Sequence, residues 1–393
     1  MNDSNDAQTS PTCRVAVVGA GIAGAACASS LARAGFEVTV FERSSGAGGR
    51  MATRRAAWTD AEGAERQVAF DHGAPGFGAR SARFRAVVGR AQALGHLARW
   101  RPRVHAEFPA PLQRELYVPL PTLPALCRHL LAGVPLLASH DVQRLSRRAD
   151  GWHLDCRDGR HAGPFDQVML AVPAPQAAAL LADADADVSA DISANASSPP
   201  SGPPMLPCWT LMAVTDEVDW PWDLAEPAVG PLARVLRADR QPGRPSLPGY
   251  ASWVAQASTA WSAEHVASSA DTVREALCAA LRRQLPAGRV AWHHAEVHRW
   301  RLAFPAEAAA GAATCWWDPA RQLGACNDGF GNGTVEAGWR SGDELADTVA
   351  AWLEFNAPDR PAVAPRVEPS RDVEPARAPA PKRLRPPTTS VTS

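Results

Sequence analysis

Residues 15–50 constrain this chain more than any other stretch. Val15, Ala16, Val17 and Val18 read as a buried strand, followed at once by the turn Gly19-Ala20-Gly21-Ile22-Ala23-Gly24. An Ala-rich helix runs over 25–33 and Gly35 caps it; residues 38–41 form a second strand that ends in Glu42. Glycines in this strand–turn–helix–strand setting have distinct tasks. Gly19 allows the tight turn, Gly21 leaves room for a pyrophosphate at the helix N-terminus, and Gly24 lets helix and strand pack closely. The unpaired N–H groups and positive end of the helix hold the phosphates, against Ile22 and Ala23. Glu42 follows Gly19 by 23 residues, where an acid binds a ribose 2′-hydroxyl. The fold class predicted is α/β, with a dinucleotide-binding layer of Rossmann type.

A second glycine-rich loop comes directly after that acid: Arg43-Ser44-Ser45-Gly46-Ala47-Gly48-Gly49-Arg50-Met51. It resembles the second glycine motif of FAD-dependent, amine oxidase-like flavoproteins. By that resemblance Gly49, Arg50 and Met51 wrap the FAD pyrophosphate and ribityl chain, a task suited to the planar fork of arginine, and Arg43 lies beside the ribose acid. The longer string from Gly49 through Met51-Ala52-Thr53-Arg54-Arg55, with Phe70-Asp71-His72-Gly73-Ala74 and Phe77-Gly78-Ala79-Arg80, is similar to renalase and its bacterial relatives. The resemblance puts Gly73 and Ala74 at the flavin and brings His72 close to it. Read alone, His72 serves equally as a structural histidine bound to backbone.

The resemblance continues at the far end. Leu323-Gly324-Ala325-Cys326-Asn327-Asp328, then Gly333-Thr334-Val335-Glu336-Ala337-Gly338-Trp339-Arg340-Ser341-Gly342, resembles the family's closing motif. It implies that Asp328 accepts hydrogen bonds from ribityl hydroxyls and that the backbone at Val335 and Glu336 meets the flavin at a helix start, where negative charge is stabilised. Asn327 stands where Gly is usual, and without the resemblance Asp328 is a turn acid. The resemblance also implies that Val142 lies where a backbone group meets the adenine. On the substrate side, His298-Arg299-Trp300-Arg301 looks like a His-x-Trp-Arg signature: Trp300 as an aromatic wall for a planar ring, and Arg299 or Arg301 as a phosphate holder. A strand alternating surface Arg and core Trp accounts for the same residues. Trp300, His72 and Arg301 are the catalytic candidates.

The 393 residues suffice for two domains. Residues 1–12 read as a disordered lead. The FAD-binding domain takes 13–75, 136–181 and 314–356, interleaved with a second, α+β substrate domain of mostly antiparallel sheet at 76–135 and 205–313. Residues 182–204 form a low-complexity insertion, and 357–393 a disordered Pro/Arg-rich tail. Residues 136–145 and 151–156 read as strands, and residues 343–355 as the closing helix.

Net charge is −1, so no global field favours nucleic acid or an acidic membrane. No apolar run is long enough for a membrane span. Eight cysteines lack any C-x-x-C pair or metal spacing; they read as reduced thiols in a cytoplasmic protein with no metal.

The resemblance implies oxidation of a 2- or 6-dihydro isomer of NAD(P)H by hydride transfer to flavin N5. Molecular oxygen is then the acceptor and hydrogen peroxide a product. Hydride transfer needs stacking and distance control more than an acid or base. A flavin amine oxidase is the first alternative. Such enzymes place a lysine near the flavin, whereas the single lysine here is Lys382 and the tyrosines are Tyr117 and Tyr250. A non-catalytic FAD-bound regulatory module is the second.

Overall fold

The computed structural model describes residues 12–106, 115–186, 203–307 and 313–356. The expected lead and tail, and most of the expected insertion, lie outside the described residues.

Two six-stranded sheets organise the chain. The first runs in the order Trp316–Asp318, Leu323–Ala325, Gln167–Leu170, Arg14–Val18, Glu37–Glu42 and Leu136–Ala138. All its neighbours are parallel except the first pair, a hairpin. Parallel strands carry cover on both faces, which is why 15–18 is apolar throughout; Val15, Ala16 and Val17 are fully buried. One face is covered by the helices Ile22–Arg33 and Val335–Asn356, which pack against each other. The other carries the helix Ala174–Ala186 and the three-stranded sheet of Val142–Arg148, Gly151–Cys156 and His161–Phe165.

The second sheet is antiparallel but for its last pair. Its order is Trp292–Pro305, Met205–Asp216, Tyr250–Ala257, Leu232–Arg237, Leu224–Glu226 and Val104–Ala106. The helix Ala270–Gln284 packs on one face, around Trp209, Trp253 and Leu277. Trp253 is fully buried, and its Nε1–H donates to Thr215 Oγ1 at 2.9 Å, so the polar end of this buried indole is satisfied.

Four details differ from the sequence reading. Residues 76–135, expected in the substrate domain, send only Val104–Ala106 into the antiparallel sheet. Their helices Ala82–Ala93 and Ala125–Leu130 bury Phe84, Leu126 and Cys127 in the same core as Leu31 and Trp339, because their apolar stripes meet the dinucleotide-layer helices. The expected insertion begins as the end of the helix Ala174–Ala186, with Leu181 and Ala184 buried; an Ala-Asp repeat still presents an Ala face at helical spacing. Residues 136–145 break at Ser139, whose φ is 58°. The helix start expected at 335–336 and the closing helix expected over 343–355 are one continuous helix, Val335–Asn356.

Candidate active site

A cleft of about 1790 Å³ runs from the C-terminal ends of the parallel strands to Trp292–Pro305 of the second sheet. This is the crevice where open α/β sheets take ligands.

The dinucleotide end is built from three backbone segments pressed together. Gly48 N–H donates to Ala20 O at 2.9 Å, tying the second glycine loop to the first. A Cβ on Gly49 would sit 3.2 Å from Gly21 Cα, and Gly49 has φ of +56°. A Cβ on Gly73 would lie 1.8 Å from the Arg50 carbonyl oxygen, so only glycine fits there. Glu42 is buried; its Oε2 accepts from Ala20 N–H and its Oε1 from Ser44 N–H, each at 2.8 Å. The acid therefore clamps both loops and keeps free lone pairs for a hydroxyl. The helix Ile22–Arg33 begins at Gly21 with no side-chain cap and no acid in its first turn, leaving its N–H groups for an anion.

Further along, Asp328 and Arg50 form a two-pronged ion pair, Nη1 to Oδ2 at 2.8 Å and Nη2 to Oδ1 at 2.5 Å. Arg50 Nη1 also donates to Ala303 O at 2.9 Å, joining the loop to the second sheet. Glu336, in the first turn of the long helix Val335–Asn356, accepts from Arg80 N–H at 2.8 Å and Ser81 N–H at 2.7 Å. Burial raises its pKa, but these bonds and the Arg80 charge win and hold it below the usual carboxylate range.

At the substrate end, Trp300 Nε1–H donates to the His72 carbonyl at 3.1 Å, and the His72 ring stacks on Trp300 with centroids 5.0 Å apart. His298 meets both edge-on, at 4.9 Å from His72 and 4.4 Å from Trp300. His72 is 5% exposed and its Nδ1 has no hydrogen-bond partner. Burial, then His298 and Arg54, push its pKa down to about 4, so its imidazole is neutral. Burial and Arg54 lower His298 as well, against the opposing pull of Glu296. Cys208 is pushed up to about 11 by burial and stays a thiol.

Gly19, Gly21, Ile22, Ala23, Glu42, Arg43, Gly49, Arg50, Met51, Gly73, Ala74, Val142, Asp328, Val335, Glu336, Trp300 and Arg301 all line this one cleft. Gly24 and His72 do not. Gly24 is a packing residue, since a Cβ there would lie 1.9 Å from the Gly19 carbonyl oxygen. His72 stands behind Trp300, away from the lining, because Trp300 covers its ring. Sequence reasoning gave no separate role to His298 or Arg80, both in the lining. The signal for His298 was the alternation His294, Glu296, His298, Trp300, which sets one face of a strand.

A family model described as flavin containing amine oxidoreductase matches residues 112–350, and one described as NAD(P)-binding Rossmann-like domain matches residues 17–91. The tRNA 5-methylaminomethyl-2-thiouridine biosynthesis bifunctional protein MnmC of Magnetococcus marinus is 33% identical over 206 residues. That match takes 42% of this chain and 30% of the relative, so the chain spans under a third of its length. Among solved structures, a candidate protoporphyrinogen oxidase from Exiguobacterium sp. 255-15 aligns with a TM-score of 0.59 at 12% identity, over 87% of this chain and 99% of that one. Putrescine oxidase bound to putrescine gives 0.56 at 14%, over 87% and 100%. Reduced UDP-galactopyranose mutase gives 0.60 at 10%, over 89% and 97%. At such identities the likeness is one of fold.

Proposed function

As the chain belongs to the flavin containing amine oxidoreductase family and its cofactor is FAD, we propose that it oxidises a 2- or 6-dihydro isomer of NAD(P)H to NAD(P)+, with molecular oxygen reduced to hydrogen peroxide. The observation that supports this choice of substrate is the charge state of the cleft wall. Its four carboxylates are all engaged: Glu42 by two backbone N–H groups, Asp141 by Arg157 at 2.7 Å, Asp328 by Arg50, and Glu336 by Arg80 and Ser81 N–H. Arg43 and Arg301 line the same wall with no hydrogen bond or ion pair among the described residues, and the guanidinium of Arg80 acts on Glu336 through its charge without a hydrogen bond to it. Unpaired guanidinium groups in a cleft attract a diphosphate and oppose a protonated amine.

Bound FAD supplies the two-electron acceptor of this chemistry. The chain supplies position. Trp300 offers an aromatic face for a planar nicotinamide ring, fixed by its bond to the His72 carbonyl. The neutral, buried His72 keeps charge away from the back of that face. Arg80 and Arg301 flank the approach and orient the dinucleotide phosphates.

Amine oxidation is the second reading, and the family description favours it. One experiment separates the two: anaerobic mixing of the holoprotein with 6-dihydro-NAD, with ordinary NADH and with putrescine, following oxidised-flavin absorbance. Rapid bleaching by the 6-dihydro isomer alone, then peroxide on admitting air, is the expected result. Bleaching by the amine alone refutes the proposal.

A further inference from the structure

We infer that His298 is the proton donor of the oxygen-consuming half of this reaction, recharged from solvent along Glu296 on the same strand face. The inference rests on the oxidase reading above.

The balance of the reaction calls for such a group. The dihydronicotinamide loses one C–H bond, and with it two electrons and one proton. Dioxygen needs two electrons and two protons to become hydrogen peroxide. One proton must come from elsewhere in each turnover, delivered where oxygen is reduced. In this proposal the His298 imidazolium gives up that proton, becomes neutral, and regains a proton from water.

The lining of the cleft leaves few donors. Its arginines stay protonated, its four carboxylates are engaged by hydrogen bonds or ion pairs, and Cys208 is a buried thiol with a raised pKa. Lysine and tyrosine are absent from the lining. Two imidazoles remain. His140 sits beside Val142 at the adenine end, with Nδ1 on the Ala138 carbonyl at 2.8 Å and Arg160 Nη1 at 3.0 Å. His298 sits at the other end, against Trp300.

The strand carries one face from His298 toward solvent. His294, Glu296, His298 and Trp300 pair in unbroken register with Val214, Met212, Thr210 and Cys208, so all four side chains share one face. The Glu296 side chain is 40% exposed and ion-paired with Arg54; His294 Nε2 lies 3.9 Å from Glu296 Oε2. The charged and titratable groups facing His298 are therefore Glu296 on its own strand, Arg54 on the Thr53–Thr59 strand and His72 after Glu65–Asp71. Burial and Arg54 disfavour the protonated ring and Glu296 favours it, and the balance leaves its pKa below the usual 6.5. Their opposition suits a group that must take up and release a proton in each cycle.

The test uses His298→Gln and His298→Asn in the full-length holoprotein, reduced with dithionite and mixed with oxygen between pH 5 and 8. Chemical reduction makes this test independent of the substrate reading, which is judged by the anaerobic bleaching experiment. A positioned acid contributes on the order of 100-fold or more. Both variants should reoxidise about 100-fold more slowly than the parent at pH 5 and lose the parent's decline in rate as pH rises. Histidine-labelled NMR of the parent should show the His298 ring titrating in the same pH range as that decline. Retained flavin absorbance and circular dichroism show that the variants fold; if Gln fails this check, Asn decides. Reoxidation as fast and as pH-dependent as in the parent overturns the inference, as does a parent rate that does not follow the His298 titration.

Discussion

Replacing Glu42 by alanine separates two tasks of one carboxylate. In the protein alone, the side chain is the acceptor for Ala20 N–H and Ser44 N–H. Ala20 is fully buried while Ser44 is exposed, so water can replace the second bond but not the first. A buried donor left unpaired costs about 1–3 kcal/mol, and a bond to a charged acceptor is worth about 1.5–3 kcal/mol. The FAD-free variant should therefore be destabilised by about 2–3 kcal/mol. At roughly 2 °C per kcal/mol for a chain of this size, its Tm falls by about 5 °C. With FAD present the drop should be larger, because the variant also lacks the acceptor for the ribose hydroxyl; weaker binding removes part of the ligand's stabilisation. Differential scanning fluorimetry of the FAD-free and FAD-saturated forms of parent and variant gives all four values. An FAD-free Tm within 1 °C of the parent would refute the clamp. Equal drops in both forms would refute the ribose contact.

Gly73→Ala should abolish FAD retention, since its Cβ would meet the Arg50 carbonyl at 1.8 Å; normal flavin content after purification would contradict this. Asp328→Ala leaves Arg50 without its carboxylate partner and should raise the FAD Kd about tenfold or more, measured by flavin fluorescence on titration. Trp300→Phe keeps the stack but loses the bond to the His72 carbonyl, and should slow anaerobic flavin reduction more than reoxidation in stopped flow. Acid should destabilise the fold through His72. Its folded pKa of about 4 lies below the usual 6.5, so its contribution is fully present above pH 6.5 and is lost as pH falls toward 4. The loss amounts to about 3 kcal/mol, and His72→Asn should flatten the urea-unfolding free energy across that window.

The dinucleotide end of the site was legible because its signals are local. Gly19, Gly21, Glu42, Gly49 and Arg50 lie within 32 consecutive residues, and each is required by backbone contact or charge. The substrate end is assembled from distant strands. His72 looked like a flavin neighbour from its place beside Gly73, yet Trp300, which arrives 228 residues later, screens it from the cleft. Residues 76–135 divide between two cores: Phe84 and Leu126 join the dinucleotide layer, while Trp100 and Val118 pack with Met212 and Val214 of the second sheet. An apolar stripe such as that of Phe84, Val88 and Ala91 says that a helix buries one face, not which of two cores receives it. The helix start expected at 335–336 and the helix expected over 343–355 are one element; Gly338 and Gly342 weaken helix propensity between them, yet both are buried in it.

The order of strands in the parallel sheet has a consequence for biosynthesis. Arg14–Val18 pairs with Gln167–Leu170, which in turn pairs with Leu323–Ala325, and the helix Ile22–Arg33 is covered by Val335–Asn356. A chain still being made therefore carries its complete glycine fingerprint for several hundred residues without the walls that retain a nucleotide. At about 5–20 residues per second, the interval between making Gly19 and making Asp328 is about 15–60 s. Cofactor capture thus belongs to the end of synthesis, and an unfinished chain leaves the ribosome with an open sheet edge rather than a flavin.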